Sequence, residues 1–129
     1  MLKREFLRRA LLIAMLPFAG AGAGTAVAGD ADFTLTNNTG YDIESVYVVP
    51  SKQKNWGKDQ LGKRTLNDGK SRDLSFDKNN SICIYDMKIH WVGYGEDEDR
   101  IWEKIDLCEI NKITLRYNEK TNMTSMTAE

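Results

Sequence analysis

Ser81-Ile-Cys-Ile-Tyr-Asp-Met-Lys-Ile-His-Trp-Val92 puts Cys83, Tyr85, Met87, Ile89 and Trp91 at every second position. Successive side chains of a strand point to opposite faces, so this spacing predicts one strand with an unbroken apolar face turned to a core. Gly93-Tyr-Gly-Glu-Asp-Glu-Asp99 then bends the chain, and Arg100 to Leu107 returns as the second arm of a hairpin. Opposing Cys83 to Cys108 centres that hairpin inside the bend. The same register sets Met87 against Lys104 and Ile105 against Asp86, which mixes the faces. A one-residue shift or a bulge restores the pattern, so the hairpin is the firmer expectation and direct opposition of the cysteines the weaker one.

The same period of two runs outward in both directions. Asp32 to Thr36 alternates with Phe33 and Leu35 inward, and Asn37-Asn-Thr-Gly40 is a turn signal. Tyr41 to Val49 is a β-branched strand ending at Pro50, with Ile43, Tyr47 and Val49 on one face and Val46 and Val48 on the other. A strand apolar on both faces is expected to be central and covered on both sides over part of its length, and to form a first hairpin with the segment before it. Ser51 to Gly62 reads as a long crossing loop pinned by Trp56 and Leu61. Arg64-Thr-Leu66 is a short strand, Asn67-Asp-Gly-Lys70 a hairpin-type turn, and Ser71 to Phe76 a strand with Leu74 and Phe76 inward. Asp77 to Asn80 is a further polar turn, and Lys112 to Tyr117 is the last strand, with Ile113, Leu115 and Tyr117 inward. No helical stripe follows residue 28. About seven short strands with regular turn signals predict a small antiparallel β-sandwich over residues 29–118 and a flexible polar tail over 119–129.

Residues 1–28 read as a cleaved signal peptide. Lys3, Arg4, Arg8 and Arg9 form a basic start, an apolar run follows, and Ala26-Val-Ala28 fits a signal-peptidase site. The pair Arg8-Arg9 also admits the twin-arginine route, so export by Sec is the leading expectation and twin-arginine export the alternative. Either route ends in the periplasm or outside the cell, with no membrane span after cleavage. Removing 28 of the 129 residues leaves 101, one domain's worth. That leader carries four of the 18 Lys and Arg and one of the 19 Asp and Glu, so the remainder holds 14 basic and 18 acidic residues, a net charge of −4. Such a balance argues against a nucleic-acid partner, which needs a concentrated basic face.

Cys83 and Cys108 are the only cysteines. In an oxidising compartment an even pair reads as a disulfide, and closing the loop between residues 83 and 108 restricts the unfolded chain by about 3.5 kcal/mol in the chain-entropy picture. The spacing is not Cys-x-x-Cys, and the single histidine, His90, is too few to complete a zinc site with two cysteines.

Chemistry-bearing residues are sparse. His90 lies opposite the apolar face of its strand, and no serine or free thiol sits in a nucleophile motif. Asp86 and Asp106 could approach on neighbouring strands, as pairs on sandwich surfaces routinely do, which makes a hydrolase the least-favoured reading. Glu96, Asp97, Glu98 and Asp99 on their glycine-flanked bend offer oxygen ligands to calcium, without the alternating spacing that wraps a cation. Of the large aromatics, Tyr94 at the hairpin tip is the one expected to be exposed for contact, and Trp56 is expected to pin the crossing loop.

Phe33-Thr-Leu-Thr-Asn-Asn-Thr-Gly-Tyr41, Val46-Tyr-Val-Val-Pro50, Trp56-Gly-Lys-Asp-Gln-Leu-Gly62, Cys83-Ile-Tyr-Asp-Met-Lys88 and Asp106-Leu-Cys108 together resemble a family of small exported bacterial β-domain proteins. Its running pattern is F-x-L-x-N-x-T-G-Y, W-G-x-D-x-L-G, C-x-Y-D-L-K and D-L-C. The resemblance implies a compact β domain and carries over no catalytic residue. It departs at the bend, where four acids stand in place of a shorter Asp-Gly type of turn. The leading functional expectation is a non-enzymatic binding or accessory module without a cofactor. Its surface would be the tip of Tyr94, Glu96, Asp97, Glu98 and Asp99 with the Trp56 loop, and its partner a protein or envelope component.

Overall fold

The computed structural model describes residues 30–76 and 81–129. The expected leader and the Asp77 to Asn80 turn lie outside them. Among the described residues, seven strands make two sheets. They are β1 (Phe33–Asn38), β2 (Ile43–Pro50), β3 (Ser71–Leu74), β4 (Ile84–Trp91), β5 (Arg100–Asp106), β6 (Lys112–Asn118) and β7 (Met123–Ala128). One sheet runs β3-β1-β6-β7 and the other β2-β4-β5. All pairings are antiparallel except β1 with β6, which is parallel. The only helical pieces among the described residues are single 3-10 turns at Glu96–Glu98 and Leu107–Glu109, and no helix there is long and apolar enough to cross a membrane.

The alternation expected for β4 is realised. Tyr85, Met87, Ile89 and Trp91 are buried and face Phe33, Leu35, Ile113 and Leu115 of the opposite sheet in one core. Strand β4 is central in its sheet, and β2 and β5 flank it. The mixed faces of the third hairpin are resolved by a bulge. Tyr85 pairs with Ile105 and Met87 with Trp102, so Glu103 and Lys104 together stand opposite Asp86. Lys104 takes a left-handed backbone (φ 55°), and its amide donates to Asp86 Oδ1 at 2.9 Å. Beyond the bulge, Leu107 N donates to Cys83 O, so the cysteines are one residue out of direct opposition. They are joined as a disulfide with Cα atoms 5.2 Å apart.

Three expectations are corrected. Strand β2 is an edge strand, and its two apolar faces have separate covers. A bulge between Ile43 and Ser45 turns Ile43 to the core side with Val46 and Val48. On the other face the crossing loop lies so close that any side chain at Gly57 would touch Val49. The loop also satisfies the open edge. Val46 N donates to Asp59 Oδ1, Gln60 N donates to Val46 O at 2.7 Å, and Asp59 Oδ1 accepts again from Leu61 N. Edge strands need such covering, and buried Leu61 anchors it.

Secondly, neither early turn closes a hairpin. Strands β1 and β2 belong to different sheets, and Leu66 makes only a bridge to Ile43 before β3 joins β1. Both turns are corners at which the chain changes sheet, and one side chain holds them together. Asn37 is fully buried. Its Nδ2 donates to Tyr41 O and Leu66 O at 2.7 and 2.9 Å, and its Oδ1 accepts from Thr39 N and Thr39 Oγ1. Its main chain exchanges bonds with the second corner, Asn37 N to Lys70 O and Gly69 N to Asn37 O. Gly40 and Gly69 sit at φ 92° and 85°, conformations that side chains disfavour.

Thirdly, the polar tail is a strand. Thr124, Met126 and Ala128 alternate inward, Met126 and Ala128 pack on the core, and β7 pairs with β6 from Asn118↔Met123 to Ile113↔Ala128. Asn122 closes this hairpin at φ 55°, which Asn tolerates. The chain is tied to its last residue, where Glu129 N donates to Lys112 O.

Replacing Asn37 by Ala leaves Thr39 N without its acceptor and removes one of two donors from each of the Tyr41 and Leu66 carbonyls, which keep Thr39 Oγ1 and Ile43 N. The expected loss is about 1–3 kcal/mol, the range for one buried group left without its partner. Equilibrium denaturation measures it; a loss below about 1 kcal/mol would show that the corner does not rely on this side chain.

Candidate functional site

One end of the sandwich is open, and three tyrosines meet there from three different elements. Tyr41 leaves the first corner with its carbonyl held by Asn37. Tyr94 follows the Gly93 turn beyond β4, and Tyr117 lies near the end of β6. Tyr94 and Tyr117 each stand nearly perpendicular to Tyr41, at 86° and 81°, with ring centres 6.1 and 5.4 Å from it. Beside them is a cleft of about 120 Å³, lined also by Trp91, Glu98, Arg100, Asn122 and Thr124. Tyr41 and Tyr94 remain 40% and 48% exposed, well above what a core aromatic keeps.

The polar groups around this cleft divide into spent and available. Trp91 Nε1 donates to Glu98 O at 2.9 Å, and Arg100 Nη1 donates to Glu98 O and Asp99 O at 2.9 and 3.3 Å. Asp99 is turned inward, where its Oδ1 lies 2.7 Å from His90 Nδ1. That pair ties the hairpin tip to β4. Tyr117 Oη donates to Asn122 Oδ1, fixing its ring to the last hairpin. Thr124 Oγ1 is buried without a hydrogen-bond partner, the single side-chain oxygen of this kind among the described residues. Loss of hydration raises the Tyr41 phenol above its ordinary value of 10.0, and the neighbouring phenols of Tyr117 and Tyr94 and the Glu119 carboxylate push it the same way.

The residues singled out from the sequence are thus only partly gathered. Tyr94 and Glu98 line the cleft, with Glu96 and Asp97 exposed on the adjoining 3-10 turn and Asp99 committed to His90. Trp56 is elsewhere. It is half-buried on the outer face of the three-stranded sheet, where Lys88 Nζ lies 5.2 Å from its ring and 5.1 Å from that of Tyr47. Tyr41 and Tyr117 are the cleft tyrosines that sequence reasoning missed. Their only signal is position, each lying where a strand meets a turn at one end of the sheets.

The other chemistries find little support in the geometry. Asp86 accepts from Ser51 Oγ and Lys104 N, and Asp106 accepts from Cys108 N, so both carboxylates cap local backbone or a bulge. The four acids of the tip do not converge. Among the described residues the one set of three metal-capable side chains is Cys83, Asp106 and Cys108, and its two sulfurs are bonded to each other. No protein-family model, curated protein or solved structure matches this chain.

Because the tip carboxylates diverge, millimolar calcium is expected to shift the melting temperature by less than about 1 °C, within the range of nonspecific screening. A rise of several degrees that Glu96→Gln and Asp97→Asn abolish would contradict this geometry.

Proposed function

We propose that this domain is a non-enzymatic recognition module that works outside the reducing cytoplasm and engages a protein or cell-envelope partner through the tyrosine-lined cleft. The observation that carries the reading is the convergence of Tyr41, Tyr94 and Tyr117 from separate elements onto one exposed end. Aromatic side chains left exposed at such a density are costly unless a contact covers them, and tyrosine is among the residues most often found at the energetic centre of interfaces. The cleft is small beside the 300–1,000 Å³ typical of metabolite sites, which favours a macromolecular contact over a small-molecule pocket. The Cys83–Cys108 disulfide supports an oxidising location, in keeping with the signal-like sequence of residues 1–28.

The reading is tested by crosslinking the tagged protein in its own cells and identifying what it captures. One enriched envelope or secreted partner is expected, lost when Tyr94 and Tyr117 are both replaced by Ala while the melting temperature stays within a few degrees. Capture that survives this double change would move the contact surface away from the cleft.

A further inference from the structure

Resting on that reading, we infer that the cleft receives a single cationic side chain, the ammonium group of a lysine on a partner protein, held against the faces of the tyrosines and beneath the acidic rim. A cation is drawn to the negative face of an aromatic ring when it sits within about 6 Å of the ring centre. Tyr94 and Tyr117 stand at 86° and 81° to Tyr41, so a compact group in the corner beside Tyr41 is placed to meet more than one ring face. A planar guanidinium prefers to stack along one face and gains less from such a corner. The space is also sized for the end of one side chain.

Charge points the same way. Glu98 lines the cleft, and Glu96 and Asp97 stand exposed on the same turn. Glu119 is near enough to help raise the Tyr41 phenol. Arg100, the one cation in the lining, offsets the charge of Glu98 but directs its Nη1 to the main-chain oxygens of Glu98 and Asp99, so the excess at the rim comes from Glu96 and Asp97. An anionic ligand would meet these carboxylates, and a neutral apolar one would leave them unused. The protein already builds an arrangement of this type on its other face, where Lys88 Nζ lies 5.1 and 5.2 Å from the ring centres of Tyr47 and Trp56.

The test is an NMR titration of the full protein with three short capped peptides, identical except for a central lysine, norleucine or glutamate, and separately with tetramethylammonium. The lysine peptide is expected to give saturable shifts at the Trp91 indole and the three tyrosine rings, with affinity at least about fivefold above norleucine and weakened by added salt. Tyr94→Ala should abolish the shifts and Glu98→Gln should weaken them; the lysine–norleucine comparison on unaltered protein needs neither variant to fold. Equal or tighter binding of norleucine or glutamate, or no shift at these rings, overturns the inference. Tetramethylammonium binding without lysine binding overturns it in favour of a small quaternary ammonium compound. A partner captured through the tyrosines without lysine preference would remove the cation and leave the recognition reading standing. Lysine-selective shifts with no captured partner would do the reverse.

Discussion

A buried amide side chain holds this fold at the point where two sheets exchange the chain. Asn37 has two N–H donors and one oxygen with two acceptor sites, and all four are used. No apolar residue of similar size accepts from Thr39 N or gives the carbonyls of Tyr41 and Leu66 their second hydrogen bond, and no charged one enters a fully buried site cheaply. The two corners it joins decide which sheet each of β1, β2 and β3 enters. The constraint therefore lies upstream of the core, because the apolar faces meet only if both corners turn correctly.

The same interaction reaches the candidate site. Tyr41 is fixed through its carbonyl by Asn37, and its ring is the common neighbour of Tyr94 and Tyr117. Tyr94 is placed by the Gly93 turn and the hairpin tip, which Trp91, His90 and Arg100 brace through the main chain of Glu98 and the side chain of Asp99. Tyr117 is placed by β6 and braced by Asn122 of the last hairpin. Three separate supports thus place the three rings of one aromatic cluster. In the recognition role proposed above, rings already placed have less side-chain freedom to lose on contact.

Much of this was legible in the sequence, for reasons that differ by element. The period of two in residues 83–91 identified β4 and its core face because each odd position is apolar. The mixed register of the cysteine hairpin announced the bulge that Lys104 and Asp86 form. The motif Trp56-Gly-Lys-Asp-Gln-Leu-Gly62 proves largely structural, with Asp59 and Leu61 covering the edge of β2. What could not be read locally was long-range. Strong turn signals at 37–40 and 67–70 look the same whether the chain pairs with itself or crosses to another sheet. The parallel partnership of β1 and β6 leaves no local trace either. Strand β7 was missed because Thr124 and Ala128 are weak markers of an inward face, and only Met126 among the three is large and apolar. Tyr41 and Tyr117 entered the cleft only once those long-range pairings were known.

The central claim is that the Asn37 corner is as firm as the core and not a loop fastened afterwards. Native-state hydrogen exchange measures this residue by residue. The account predicts that the amides of Asn37, Thr39, Ile43, Leu66 and Gly69 exchange only through global unfolding, with the same opening free energy and denaturant dependence as amides at the centres of β4 and β6. If they opened through local fluctuations while those strands stayed protected, the corner would be an ornament of the sandwich and the account would be wrong.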